Sequence, residues 1–160
     1  MTANAHLKVI SGYYDGCSTG DVDLMRTTLS EDVVHFFLAP NPGSAPVRGG
    51  EHLARYWRKV HRLIDAVWVV DHILDSDDEA VIEWTMFWTP QGSDHRVATR
   101  GAEWFTFASD GRITEIRSYY QQREAQATEL HGFPYAERGY ALQSAQASTL
   151  HTPPVKEPRS

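Results

Sequence analysis

Val97-Ala98-Thr99-Arg100-Gly101-Ala102-Glu103-Trp104-Phe105-Thr106-Phe107, then Ala108-Ser109-Asp110-Gly111-Arg112, then Ile113-Thr114-Glu115-Ile116-Arg117-Ser118-Tyr119-Tyr120-Gln121, reads as two long strands joined by a hairpin. Its β-branched and aromatic residues suit a pleated, half-buried surface. Asp110-Gly111 is a strong turn signal, because a tight hairpin needs positive φ. Upstream, Val67 to Leu74 and Ala80 to Thr89 show the same two-residue period. Asp75 to Glu79 and Pro90 to Asp94 separate them, with Gly92-Ser93-Asp94 as a looser turn. The second half of the chain therefore reads as a four-stranded meander.

The first half has a helical period. From about His6 to Thr19, Leu7, Ile10, Tyr13, Tyr14 and Cys17 recur at three- and four-residue steps, the mark of an amphipathic helix. Gly20 stops it, and Asp21 can cap a second helix from Val22 to Leu29. Ser30-Glu31-Asp32 breaks the pattern, and Val33 to Leu38 reads as a short strand. Ala39 to Gly50, with Pro40, Pro42, Gly43 and Pro46, reads as loop. A third helix then runs to about Ile64, with Leu53, Tyr56, Trp57, Val60, Leu63 and Ile64 as its apolar stripe. Helices first and strands second means α+β, not alternating βαβ. A strongly twisted sheet with three helices on one face makes a cone. Its interior is too wide for the strands' own side chains to fill, which predicts an apolar pocket.

The 160 residues fit one domain, and 41% hydrophobic content supplies a core. A formal net charge of −6, with no Lys/Arg run, argues against a nucleic-acid partner. The single cysteine, Cys17, cannot form an internal disulfide and is expected to pack on its helix. The first residues lack the layout of a signal peptide, and no stretch has the apolar length to span a bilayer, so a cytoplasmic location and no membrane partner are expected. Residues 1–123 are expected to form the domain. Residues 124–142, with Leu130, Phe133, Tyr135 and Tyr140, are expected to form an arm over the cone mouth or a partner, and 143–160 a flexible tail.

Cofactors are not expected. G-x-G-x-x-G and P-loop patterns are missing. None of the eight histidines forms an H-x-x-x-H or H-E-x-x-H pair, and one cysteine gives no CxxC site, so no metal is expected.

Three groups of motifs carry a resemblance. Tyr13-Tyr14-Asp15-Gly16-Cys17-Ser18-Thr19-Gly20-Asp21, followed by Leu29-Ser30-Glu31-Asp32-Val33, resembles the opening of SnoaL-like and ketosteroid-isomerase-like proteins of the NTF2-like superfamily. Val47-Arg48-Gly49-Gly50-Glu51 is similar to the start of their third helix. Arg100 to Phe107, Asp110-Gly111-Arg112-Ile113 and Tyr119-Tyr120 are similar to their last two strands. The resemblance spans Leu7 to Gln122. It implies the cone fold, an outer-face homodimer, and a reaction left open among isomerases, cyclases, hydrolases, dehydratases and binders.

In the ketosteroid isomerases a helix-one tyrosine and a protonated carboxyl on the penultimate strand hydrogen-bond the developing enolate oxygen. The resemblance puts Tyr13 and Glu103 at those positions. The isomerase's aspartate base corresponds to Phe37, so steroid isomerisation itself is not implied. His35, two residues earlier on the same strand face, can take that part. Epoxide hydrolysis in the superfamily uses two carboxylates bridged by an arginine. Glu103 and Arg100 match it incompletely, since parity puts them on opposite faces.

Parity also selects the lining. With Glu103 facing inward, so do Thr99, Gly101, Phe105 and Phe107, together with Ile116, Ser118 and Tyr120, and Ile82, Trp84, Met86 and Trp88. The expected catalytic residues are His35, Glu103 and Tyr13. The expected substrate-binding residues are Phe37, Tyr56, Trp84, Met86, Trp88, Phe105, Ser118 and Tyr120. A carboxyl among aromatics is desolvated and its pKa raised. Trp104 and Tyr119 face outward and suit a dimer contact. The expected function is a cofactor-independent acid–base enzyme acting on a small, largely apolar, carbonyl-bearing or cyclic molecule. The alternatives are a small-molecule-binding protein and a protein-interaction subunit.

Overall fold

The computed structural model describes residues 3–39, 45–120, 134 and 136–138. Most of the expected arm and the whole expected tail lie outside the described residues.

Helix α1 (Ala3–Thr19) buries Ile10, Tyr13, Tyr14 and Cys17, the stripe that its spacing predicts. It ends at Gly20. Asp21 then caps α2 (Val22–Thr28), accepting from the Leu24 amide at 3.0 Å. Cys17 packs against Met25 and is buried.

Strand β1 (Leu29–Ala39) follows α2 directly. It is longer than the sequence reading, because Ser30, Glu31 and Asp32 belong to it. Those polar residues sit at a register irregularity between Leu29 and Val34. A bulge tolerates what a regular two-faced ladder does not. The loop after β1 contains β2 (Val47–Arg48), which pairs antiparallel with Val34 and His35. Two residues are too few to leave a period in the sequence.

Helix α3 (Gly50–Ile64) buries Leu53 and Ala54 and packs Tyr56, Trp57, Val60 and Ile64 against the core. Leu63, read as part of its stripe, is instead 56% exposed. It shares an open groove with Arg55, Arg58, Lys59 and Arg62. These cations do not form a run in the sequence, but steps of three and four bring them to one helix face.

Strands β3 (Val67–Ser76), β4 (Glu79–Trp88), β5 (Val97–Phe107) and β6 (Ile113–Tyr120) form the predicted meander. In the hairpin between β5 and β6, Gly111 has a φ of 85° and its amide donates to the Ala108 carbonyl at 2.9 Å. The six strands are ordered β2-β1-β6-β5-β4-β3 in one open sheet. β1 lies parallel to β6, and every other neighbouring pair is antiparallel. The architecture is α+β, three helices packed on a mixed six-stranded sheet.

The sheet's two faces differ as parity predicts. Ile82, Trp84, Glu103, Phe105, Phe107, Ile116 and Ser118 are buried on the helix side. On the other side Arg100 bonds Asp71 (2.9 Å) and Thr85 (2.6 Å). Trp104 and Tyr119 pack edge to face there and are 39% and 41% exposed. Among the described residues, no helix is long and apolar enough to cross a membrane.

Candidate functional site

Four elements bring one polar cluster into the apolar side of the sheet. The strand register pairs Glu103 of β5 with Ser118 of β6, and Ser118 with Phe37 of β1. His35 lies two residues before Phe37 and so shares its face. Helix α1 covers the group with Tyr14.

The bonds form a chain. Tyr14 donates its hydroxyl hydrogen to Glu103 Oε2. Ser118 Oγ donates to Glu103 Oε1 at 2.7 Å, and His35 Nε2 lies 2.5 Å from the same Oγ. His35 Nε2 itself is 3.9 Å from Glu103 Oε1. That approach is not an ion pair, because His35 is neutral. Burial lowers its pKa to about 3. Burial raises Glu103 to about 7, and the bonds from Tyr14 and Ser118 pull only partly the other way. Among the described residues, no Lys or Arg forms an ion pair with Glu103. A buried carboxyl without a cation titrates where a cell can use it.

The surroundings are aromatic. Phe37 stacks on the His35 ring with centroids 4.3 Å apart, and Trp57 tilts beside it at 5.4 Å. Trp84, Phe105 and Ser118 are buried, whereas Phe37, Tyr56, Met86, Trp88 and Tyr120 are half-buried around them. Trp88 Nε1 donates to Thr99 Oγ1 at 2.9 Å. Trp84 lies over Gly101, where a Cβ would come 2.4 Å from the indole. Among the buried side-chain atoms without a hydrogen-bond partner in the described residues, His35 Nδ1 and Trp84 Nε1 belong to this cluster and its aromatic surroundings.

The sequence reading placed His35, Glu103 and Ser118 together, and the structure brings all three into contact. Tyr13 departs from its expected place. Its hydroxyl accepts from Trp57 Nε1 at 2.6 Å, with the Cys17 thiol beside it, and the tyrosine that bonds Glu103 is Tyr14. The Gly-Asp corner fixes the helix register only to within a residue. Arg100 is turned away from Glu103, held by Asp71 and Thr85. Among the described residues, no three His, Cys, Asp or Glu side chains gather as a metal site.

Known proteins share this fold. The family model of the SnoaL-like domain matches residues 10–116. No curated protein matches the chain. A crystal structure of a protein of unknown function with a cystatin-like fold, from Methylobium petroleophilum PM1, is 34% identical, with 90% of this chain and 95% of that chain covered and a TM-score of 0.68. A Mycobacterium tuberculosis protein in complex with estradiol-17β-hemisuccinate is 16% identical, with 74% and 95% covered and a TM-score of 0.63. An LEH-like epoxide hydrolase from M. tuberculosis is 21% identical, with 74% and 84% covered and a TM-score of 0.60. The last two show a shared fold.

Proposed function

The chain belongs to the SnoaL-like domain family, and from that premise we propose that it is a cofactor-independent enzyme that moves a proton on a small, largely apolar, carbonyl-bearing or cyclic molecule. Isomerisation, polyketide-type cyclisation, dehydration and hydration all fit this chemistry. One observation carries the reading: a buried carboxyl at about 7, bonded through a serine to a neutral buried imidazole. An acid–base group works best with a pKa near the operating pH. Burying an ionised carboxylate is costly unless it is paired, and Glu103 has two hydroxyls beside it in place of a cation, which favours its protonated form.

His35 and Glu103 are the residues that exchange the proton, and Tyr14, not Tyr13, is the tyrosine of their network. The half-buried side chains of Phe37, Tyr56, Met86, Trp88 and Tyr120 are the walls of the proposed pocket. The steroid ester in the M. tuberculosis structure supports an apolar ligand of that kind. The exposed Trp104–Tyr119 pair supports a homodimer through the outer sheet face, and sedimentation of Trp104→Glu against wild type tests it.

The enzyme reading is tested by deuterium wash-in from D2O into cyclic ketones and β-keto compounds. Glu103→Gln and His35→Asn should each slow exchange by about 10²-fold or more while binding persists. Exchange unaffected by both changes removes these residues from the chemistry. Compounds that bind wild type without exchanging leave the protein a binder.

A further inference from the structure

We propose that Ser118 is a positioning residue that carries protons between His35 and Glu103, so that a proton taken from substrate at His35 Nδ1 ends on the Glu103 carboxyl. The inference rests on the acid–base reading above and gives it a route and a substrate class.

The route follows from counting hydrogens. Ser118 has one hydroxyl hydrogen and two neighbours, Glu103 Oε1 at 2.7 Å and His35 Nε2 at 2.5 Å. When Glu103 is ionised, that hydrogen points to the carboxylate. Ser118 Oγ can then only accept from His35, so Nε2 carries the imidazole hydrogen. Nδ1 is left with a bare lone pair, and it is the His35 atom with no partner among the described residues. A buried polar atom in that state is destabilising until something bonds it. When Glu103 is protonated, every bond in the chain reverses. The carboxyl donates to Ser118, Ser118 donates to Nε2, and the imidazole hydrogen sits on Nδ1.

The two states differ by one proton, and in neither is His35 charged. The imidazole lowered to about 3 therefore never has to hold a charge. Nδ1 takes a proton as the substrate C–H bond breaks, and the bonding pair stays on the substrate as an enolate. Nε2 gives its hydrogen to Ser118 as Ser118 gives its own to Glu103. The negative charge leaves the carboxylate and appears on the substrate, so total charge is unchanged. Reprotonation at another carbon runs the chain backwards. The substrate class is thus a neutral carbon acid next to a carbonyl. An anionic substrate would put a second negative charge beside Glu103.

The groups around the relay do not interfere. From α1 come Tyr13, Tyr14 and Cys17, all raised by burial and so neutral. Helix α3 contributes Trp57, and β4 contributes Ile82 opposite Glu103.

The relay is read without substrate by 15N NMR of histidine-labelled protein, with the His35 signals assigned by loss in His35→Asn. The His35 tautomer should pass from Nδ1–H to Nε2–H as pH rises through the Glu103 titration, about 7. Glu103→Gln and Ser118→Ala should each abolish the switch, and Ser118→Thr should retain it. A single tautomer across that range in wild type, or a switch that survives Ser118→Ala, overturns the relay. In wash-in with 2-tetralone, a neutral cyclic ketone, Ser118→Ala should lower kcat about 10²-fold with KM little changed, remove the pH dependence near 7, and be rescued by Ser118→Thr. A tautomer switch in a wild type that exchanges no ketone would uphold the relay and overturn the enzyme reading. Exchange without a switch would do the reverse.

Discussion

Tyr13 and Tyr14 are neighbours on α1, and a helix turns about 100° per residue. They therefore point to different places. Tyr14 reaches Glu103, while Tyr13 holds the Trp57 indole, whose ring lies beside His35. The two hydroxyls should be separable by experiment. A bond to the ionised form stabilises it, so Tyr14→Phe should raise the Glu103 pKa, by roughly one to two units if the bond contributes the usual 1.5–3 kcal/mol. Tyr13→Phe should leave that pKa nearly unchanged and loosen Trp57 instead. Infrared titration of the protonated carboxyl stretch, with Glu103→Gln as the blank, reads both. Equal shifts in the two variants would mean that the register argued for α1 is wrong.

At the scale of elements, the four-stranded meander and the lining side of each strand were legible, because a period of two fixes a face once one residue is placed. Placing Glu103 inward placed Phe105, Ser118 and Trp84 with it, and all four are buried. The parallel pairing of β1 with β6 left no local trace, since it joins residues about eighty positions apart. Yet that pairing brings His35 to Ser118. The polar pair expected from the sequence is thus a three-residue chain, and its middle member was read only as lining. Element packing also explains Gly101. Its missing side chain lets Trp84 lie across β5, with the Tyr119 carbonyl 2.6 Å from where a Cβ would stand. Gly101→Ala must displace both the indole and the Tyr119 carbonyl, at a cost of about 1–3 kcal/mol. In a chain of this size that lowers Tm by roughly 2–4 °C per kcal/mol. Near-ultraviolet circular dichroism should change with it. An unchanged Tm would show that the indole and the β6 backbone both have room to move.

Across the whole molecule, three buried ionisable groups make stability depend on pH in opposing directions. Burial moves Glu103 from 4.5 to about 7 and Asp71 from 3.8 to about 6. Between those limits the folded chain holds protons that the unfolded chain has released. Their contribution is greatest in acid and is lost as pH rises through the folded values. His35 moves the other way, from 6.5 to about 3. The unfolded chain takes up a proton there that the folded chain refuses, so stability is lost as pH falls below 6.5. From pH 4.5 to 6 all three act together, each changing stability by about 1.4 kcal/mol per pH unit. Two acids set against one histidine leave a net fall of about one such step per unit as pH rises. Removing Glu103 as Glu103→Gln should flatten that slope by about 1.4 kcal/mol per unit, and His35→Asn should steepen it by the same amount. Urea unfolding of the three proteins across this window gives the slopes. The remaining surface carboxylates add a background common to all, so the differences carry the result. Parallel lines would mean that Glu103 and His35 titrate in the fold as they do in water. The buried chain through Ser118 would then have no hold on their protons.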